Sequence, residues 1–376
     1  MKKALLLLSS VLFTGYIAYG QDITAATGIK QGQIEFNDFR KIDLNNLDAG
    51  QIILTKTDKI NLESNESEIG KICSCGKYIA AITESLNGDL FYVPMTNPQV
   101  MMINTVSKAG TRIDIPNSVL NPKDQGTYFA RMTTTPDGYM YALNNAGTEF
   151  VKVSPNGTVQ NLGAIQQFAD MAQSFDKKFA LYGGDMLSDA FGNVYVITAS
   201  THVFKINPRS LTSEYLGSIN GLPDGYTVNG AAVQQDGSVL LGTTSQKAFY
   251  TLDINTLEAT FKTASPFFVY DLSSPFFLRQ AEMDQIAQAG NDYSLFPTVV
   301  RNSQLNIVSN SSESTILNIS VWNLSNKQIY SNSVKVQSIG DFKVNLNGSL
   351  QPGIYVLKAV NQNGEEVINT KFTLLR

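Results

Sequence analysis

Four tight-turn glycines divide the middle of this chain into units of similar length. They stand in Asn87-Gly88, Asp137-Gly138, Phe191-Gly192 and Asp236-Gly237, so positions 88, 138, 192 and 237 are separated by 50, 54 and 45 residues. Gly supplies the positive φ that a two-residue hairpin needs, so each turn marks a strand reversal. Each turn leads into an aromatic or aliphatic strand: Leu90-Phe91-Tyr92, Met140-Tyr141, Val194-Tyr195, Val239-Leu240. A third strand follows, as at Phe150 to Val153 and His202 to Ile206, and a fourth after most of these, as at Ser213 to Leu216. Four antiparallel strands repeated at about 45 residues form the signature of a propeller blade. A sandwich would turn at shorter, less regular intervals.

The fold class expected is therefore all-β, a β-propeller followed by a small β-sandwich. Gln21 to Ser274 spans 254 residues, which at about 45 per blade gives between five and six. Four units are clear, and Gly50 to Leu54 suggests another. Phe267 to Leu272 reads as a first strand without partners, and Ile34 to Leu44 as later strands without a first. One terminus would then complete the blade begun by the other. The expected count is about six blades, with five or seven open.

Composition narrows the functional classes. Only 16% of the 376 residues are charged and 43% are hydrophobic, which suits a folded chain. The net charge of −4 is unevenly placed. Residues 1–20 carry +2 and residues 296–376 carry +3 (seven basic, four acidic), leaving −9 for the segment between. An acidic body is a poor partner for nucleic acid or an anionic membrane. Lys2 and Lys3 precede an apolar run to Tyr19, and Ala18-Tyr19-Gly20 has small residues at −3 and −1. This is the pattern of a signal peptide over 1–20, with the mature chain starting at Gln21 and carrying no membrane span. Cys73 and Cys75 are the only cysteines. Two apart in a strand, they lie near the limit for a disulfide, and two buried thiols are the alternative.

After Leu272 the repeat stops. Ser273 to Ser294 contains a polar stretch, Gln280 to Gln288, read as linker or loose helix. Then come Phe296-Pro297 leading into Gln304-Leu305-Asn306-Ile307, a strand and turn at Ile319 to Lys327, and Leu350-Gln351-Pro352-Gly353-Ile354-Tyr355-Val356-Leu357-Lys358. This succession resembles the type IX secretion C-terminal sorting domain of Bacteroidetes, in its Ig-like type A form, with Phe296, Pro297, Pro352, Gly353 and Tyr355 in its motifs. The resemblance implies passage through periplasm and outer membrane by the type IX machinery, removal of the tail, and a secreted or surface location. The domains expected are 1–20 signal peptide, 21–275 propeller, 276–294 linker and 295–376 sorting domain.

Catalytic signals are sparse. One histidine, His202, cannot build a three-histidine zinc site, and there is no nucleophile elbow, calcium loop or phosphate loop. No catalytic residue, metal site or cofactor is expected. What remains is the central channel, lined by the innermost strand of each blade. Counting back six residues from each turn reaches Ala81, Arg131, Asp185 and Gly230, with Asn229 one residue earlier and Asp271 in the incomplete blade. Arg131, Asp185, Asn229 and Asp271, with Glu84 nearby, form the candidate ligand site. The alternative is a structural ion pair. Two functions follow: a surface binding module for a glycan or surface protein, or a propeller hydrolase or lactonase acting on carbohydrate through the channel.

Overall fold

The computed structural model describes residues 23–32, 35–44, 50–62, 66–68, 79–95, 97–118, 120–174, 180–288, 292–296, 299–300, 304–311, 313–336, 339–346, 350–351 and 353–374. The signal-peptide segment, Cys73, Cys75, Pro297 and Pro352 lie outside these residues.

The four turn glycines all take left-handed backbone, with φ of 85°, 81°, 80° and 84° at Gly88, Gly138, Gly192 and Gly237. The loops are one residue longer than the two-residue hairpins expected. The Ser85 N–H donates to the Asp89 carbonyl and the Gly88 N–H to the Ser85 carbonyl. The same two bonds recur at Thr135–Tyr139, Asp189–Asn193 and Gln234–Ser238. This is the three-residue loop in which a type I turn ends on a left-handed residue, so glycine stands last.

Five blades are present among the described residues, each built on a run of four antiparallel strands. Their innermost strands are Phe268–Ser273 (blade one), Ile79–Glu84 (two), Phe129–Thr134 (three), Asp185–Ser188 (four) and Gly230–Val233 (five). Each packs on the next, and blade five returns to blade one, closing the ring. Blade one is composite. Phe268–Ser273 pairs with Ile23–Gly28, which pairs with Phe36–Ile42 and then Ile52–Thr55. The expected figure of about six counted this blade twice, since Ile52 to Leu54 and Phe267 to Leu272 belong to one sheet. The surplus length goes into Lys59–Leu62 and Glu66–Glu68, which extend blade two, and into the helix Gln166–Ser174 before blade four.

Apolar faces of neighbouring blades interlock. Tyr141, Leu143 and Phe150 of blade three pack against Val194, Val196 and Phe204 of blade four, with Phe168 of the helix between them. Phe150 and Phe204 are fully buried, each contributing about 1.5–3 kcal/mol. The inner strands are buried on both faces, as at Met140–Asn144 and Val194–Ile197, because each blade has a neighbour on either side.

Beyond blade one, Gln280–Gln288 is a helix. A two-sheet sandwich follows. Tyr293–Phe296, Gln304–Ser309 and Gly340–Asn345 form one sheet; Val299–Val300, Glu366–Leu374, Gly353–Val360, Thr315–Asn323 and Gln328–Val336 form the other. Leu305, Ile307, Leu317, Ile319, Val321, Leu357 and Phe372 fill the space between them. Gly353 opens one of these strands, and Tyr355 is buried with its Oη donating to the Gln351 carbonyl.

Candidate functional site

An innermost strand turns one edge to the channel, and its N–H and C=O groups need partners there. Asp185 and Asp271 meet that need and are fully buried. Asp185 accepts from the Met186 N–H at 2.6 Å and from the Ala231 N–H of blade five at 2.6 Å. Asp271 accepts from the Leu272 N–H at 2.7 Å and from the Ile82 N–H of blade two at 2.6 Å. Each carboxylate thus ties its own strand to the following blade. The repetition puts Ala81, Arg131, Asp185, Gly230 and Asp271 at one level of the ring.

The two carboxyl groups also face each other across blade five, near enough to perturb each other's ionisation. Gly230 lets the strands of blades five and one approach closely: a Cβ there would fall within 2.8 Å of the Asp271 carbonyl carbon and the Leu272 side chain. Burial raises both carboxyls above their ordinary value, Asp185 to about 7 and Asp271 well upward. The Asp271 side chain and the backbone donors pull Asp185 back. One proton shared between two carboxylates is the neutralising arrangement open to such a pair.

Arg131 lies on the strand beside Asp185, but the two do not meet as an ion pair. Its guanidinium donates from Nε to the Gly183 carbonyl at 2.9 Å, from Nη1 to Asn144 O at 3.3 Å, and from Nη2 to Leu181 O. Its Cζ stands 5.5 Å from the Phe168 ring. Burial lowers its pKa to about 9, against the opposing pull of Asp185. Arg131 therefore fastens the segment leading into blade four instead of joining a polar site.

Asn229 is likewise engaged elsewhere. Its Oδ1 accepts from the Thr244 N–H and Oγ1, both at 3.0 Å, and from Thr227 Oγ1 at 3.1 Å. Glu84 pairs with Lys41 at 2.8 Å and accepts from Thr24. The four candidates share a ring but not a cluster; the structure brings only Asp185 and Asp271 together. His202 heads its strand half-exposed, bonded to Tyr215 Oη and Ser218 Oγ.

Lower in the channel, hydroxyls continue the stitching. Thr83 bonds Thr134, Ser188 donates to the Thr134 carbonyl, and the Glu84 N–H donates to Ser273. At this level a cavity of about 10 Å³ lies between the five strands, room for about one water. Ser274 and Phe276 line its end, and the chain then pairs Leu278 with Ser188 and Ala190 of blade four. The first residues of the expected linker thus cross that mouth of the channel. Among the described residues no three His, Cys, Asp or Glu gather as metal ligands. The larger hollows are outside: about 400 Å³ beside the blade-five turn Gln234 to Gly237, with Phe276, Phe277 and Gln280, and about 320 Å³ between blade four and the sandwich.

Residues 296–373 match the family described as the secretion system C-terminal sorting domain. The match supports export by type IX secretion and a location outside the cell or at its surface. No curated protein matches the chain. Similar solved structures include a protein of unknown function from Bacteroides caccae, with 12% identity and TM-score 0.38 over 93% of this chain and 94% of that one. Virginiamycin B lyase from Staphylococcus aureus shows 11% identity and 0.33 over 78% and 83%. PorZ, a surface component of the type-IX secretion system of Porphyromonas gingivalis, shows 11% identity and 0.33 over 94% and 51%. None of these likenesses bears on what the chain binds.

Proposed function

We propose that this chain is an exported, non-enzymatic binding module whose channel is a structural hub and whose ligand contacts lie on the outer surface. The observation that carries this reading is the saturated channel. Asp185 and Asp271 spend their oxygens on backbone N–H groups, and the cavity beside them between the five strands holds about 10 Å³. A sugar or lactone needs a pocket of roughly 300 Å³ or more. Hollows of that size occur on the outside, where Phe276 and Phe277 beside Gln234, Gln235 and Gln280 combine apolar faces with amides, a composition suited to a glycan or a protein surface. In the same reading residues 1–20 are a removable leader, 21–275 the propeller, 276–294 a linker and 295–376 the part addressed to the type IX machinery, reached through the periplasm.

Two measurements test it. A chain ending before Phe296 should fold its propeller yet stay out of the medium in a type IX-competent host; normal secretion of that truncation overturns the export role. The full-length protein should turn over no lactone or glycoside, and Asp271→Asn should leave ligand capture on a glycan array intact. Turnover that disappears with Asp271→Asn would restore the channel as an active site.

A further inference from the structure

The tail sits on blade four through one of its own carboxylates. Asp341, in the sandwich strand Gly340–Asn345, accepts from Asn193 Nδ2 at 2.9 Å, from Lys205 Nζ at 3.2 Å and from Arg279 Nη1 at 3.5 Å. These donors come from three separate parts of the body: a hairpin, the strand His202–Asn207, and the residue before the helix. None is near position 341 in the chain.

The body holds these donors in place by itself. Asp189, fully buried, lies 3.9 Å from Lys205 Nζ and 3.6 Å from Arg279 Nη1, and takes a hydrogen bond from Asn193. Arg279 is further fixed by Glu282 at 2.9 Å and lies 4.2 Å from the Phe191 ring. The Asp341 side chain is only 7% exposed. Burial pushes its pKa up, but Lys205, Asn193 and Arg279 together bring it below the ordinary value. Around this point Val308 of the tail packs with Ala190, Phe191 and Met283 of the body, and Lys343 pairs with Glu214 at 2.9 Å. Gly340 fits closely, since a Cβ there would stand 3.3 Å from the Phe191 carbonyl oxygen.

We propose that Asn193, Lys205 and Arg279 form a carboxylate-accepting site on the body, filled in cis by Asp341 of the tail, and open to an acidic extended segment of a partner once the tail is gone. A preorganised set of donors keeps its shape when its occupant leaves, and it takes another carboxylate in the same pose. The site is separate from the channel and stands whether or not the outer surface binds a glycan.

The test uses the full chain with a protease site placed in residues 289–291. After cutting, the wild-type tail should co-elute with the body in gel filtration, whereas the Asp341→Ala tail should separate. Asp341→Asn, which keeps the shape, should weaken retention by about tenfold or more. Near-ultraviolet circular dichroism of the uncut variants checks that both domains are folded. A labelled peptide of residues 336–346 should then bind the cut, tail-free body, and its Asp341→Asn version should bind about tenfold more weakly. The proposal is overturned if the wild-type tail falls away on cutting, if the Asp341→Ala tail stays as firmly as wild type, or if the two peptides bind alike.

Discussion

The channel and the blade-four junction both bury two carboxylates, and they resolve the cost in opposite ways. In the channel Asp185 and Asp271 face backbone N–H groups and each other, with neither paired to a cation. At the junction Asp189 and Asp341 share Lys205 and Arg279. The first arrangement joins strands of one ring and gives no occupant a way out. The second spans two domains, so half of it can leave without unfolding the other half. Carboxylates held by main chain therefore mark construction here, and carboxylates held by side-chain cations mark a contact that can be exchanged.

The largest expected effect tests the constructional side. Arg131→Ala removes a fully buried guanidinium and the donors to three carbonyls. It should cost about 3–5 kcal/mol, a fall in melting temperature on the order of 10 °C, measurable by calorimetry. A drop of a degree or two would show that the channel is looser than described and would weaken the contrast.

Next in size is the response to pH, which should have opposite sign for the channel pair and for Asp341, whereas buried Asp189 is raised like the channel pair. The folded channel holds a proton that the unfolded chain releases near pH 4, because burial raises Asp185 and Asp271. The folded state then binds more protons than the unfolded, so stability falls as pH rises from about 4 through the raised values. Asp341 is lowered instead. Its contribution is present above about pH 4 and lost as pH falls further. Melting of the Asp271→Asn variant between pH 5 and 8 should show a flatter slope than wild type, and an unchanged slope would refute the shared proton. In the cut protein, tail release should set in below about pH 4; release that begins instead as pH rises would reverse the assignment.

The smallest effect separates the clasp from its surroundings. Lys343 and Glu214 are 46% and 55% exposed in their side chains, and such pairs contribute about 0–1 kcal/mol. Lys343→Ala should leave tail retention within about twofold of wild type. A loss as large as that of Asp341→Ala would mean that general surface charge, not the buried carboxylate, holds the tail.

Much of this architecture is written locally in the chain. Glycines 88, 138, 192 and 237 announce their turns because left-handed backbone is costly for other residues, and the sorting motifs are contiguous. Counting back from the turns also finds the ring level of Arg131 and Asp185, since a repeat preserves depth. Which heads meet is another matter. Asp185 reaches the Ala231 N–H of the next blade, where Gly230 lets blade one pack closely, and Arg131 turns to carbonyls supplied by residues 181 and 183. Those outcomes depend on space, which periodicity does not encode. The junction left no mark at all, because Asn193 and Asp341 come together from 148 positions apart. The blade count centred on six, with five left open, for a related reason: the two ends do join in one sheet as expected, but its fourth strand, Ile52–Thr55, reads locally as a blade of its own.

That composite sheet has a consequence for the order of events during synthesis. Ala26 is paired with Asp271, so the ring stays open until nearly the whole body has emerged. Contacts of such long sequence separation form slowly. Until Phe268–Ser273 arrives, Ile23–Gly28 and the blade-two strand Ile79–Glu84 present bare edges that invite pairing with other chains. The arriving strand carries Asp271, so closing the ring, capping Ile82 and burying the Asp271 carboxyl group are one step. A chain stopped short of residue 268 would be left with an open seam and a half-solvated Asp185, which makes late truncation a route to aggregation and not merely to a smaller protein.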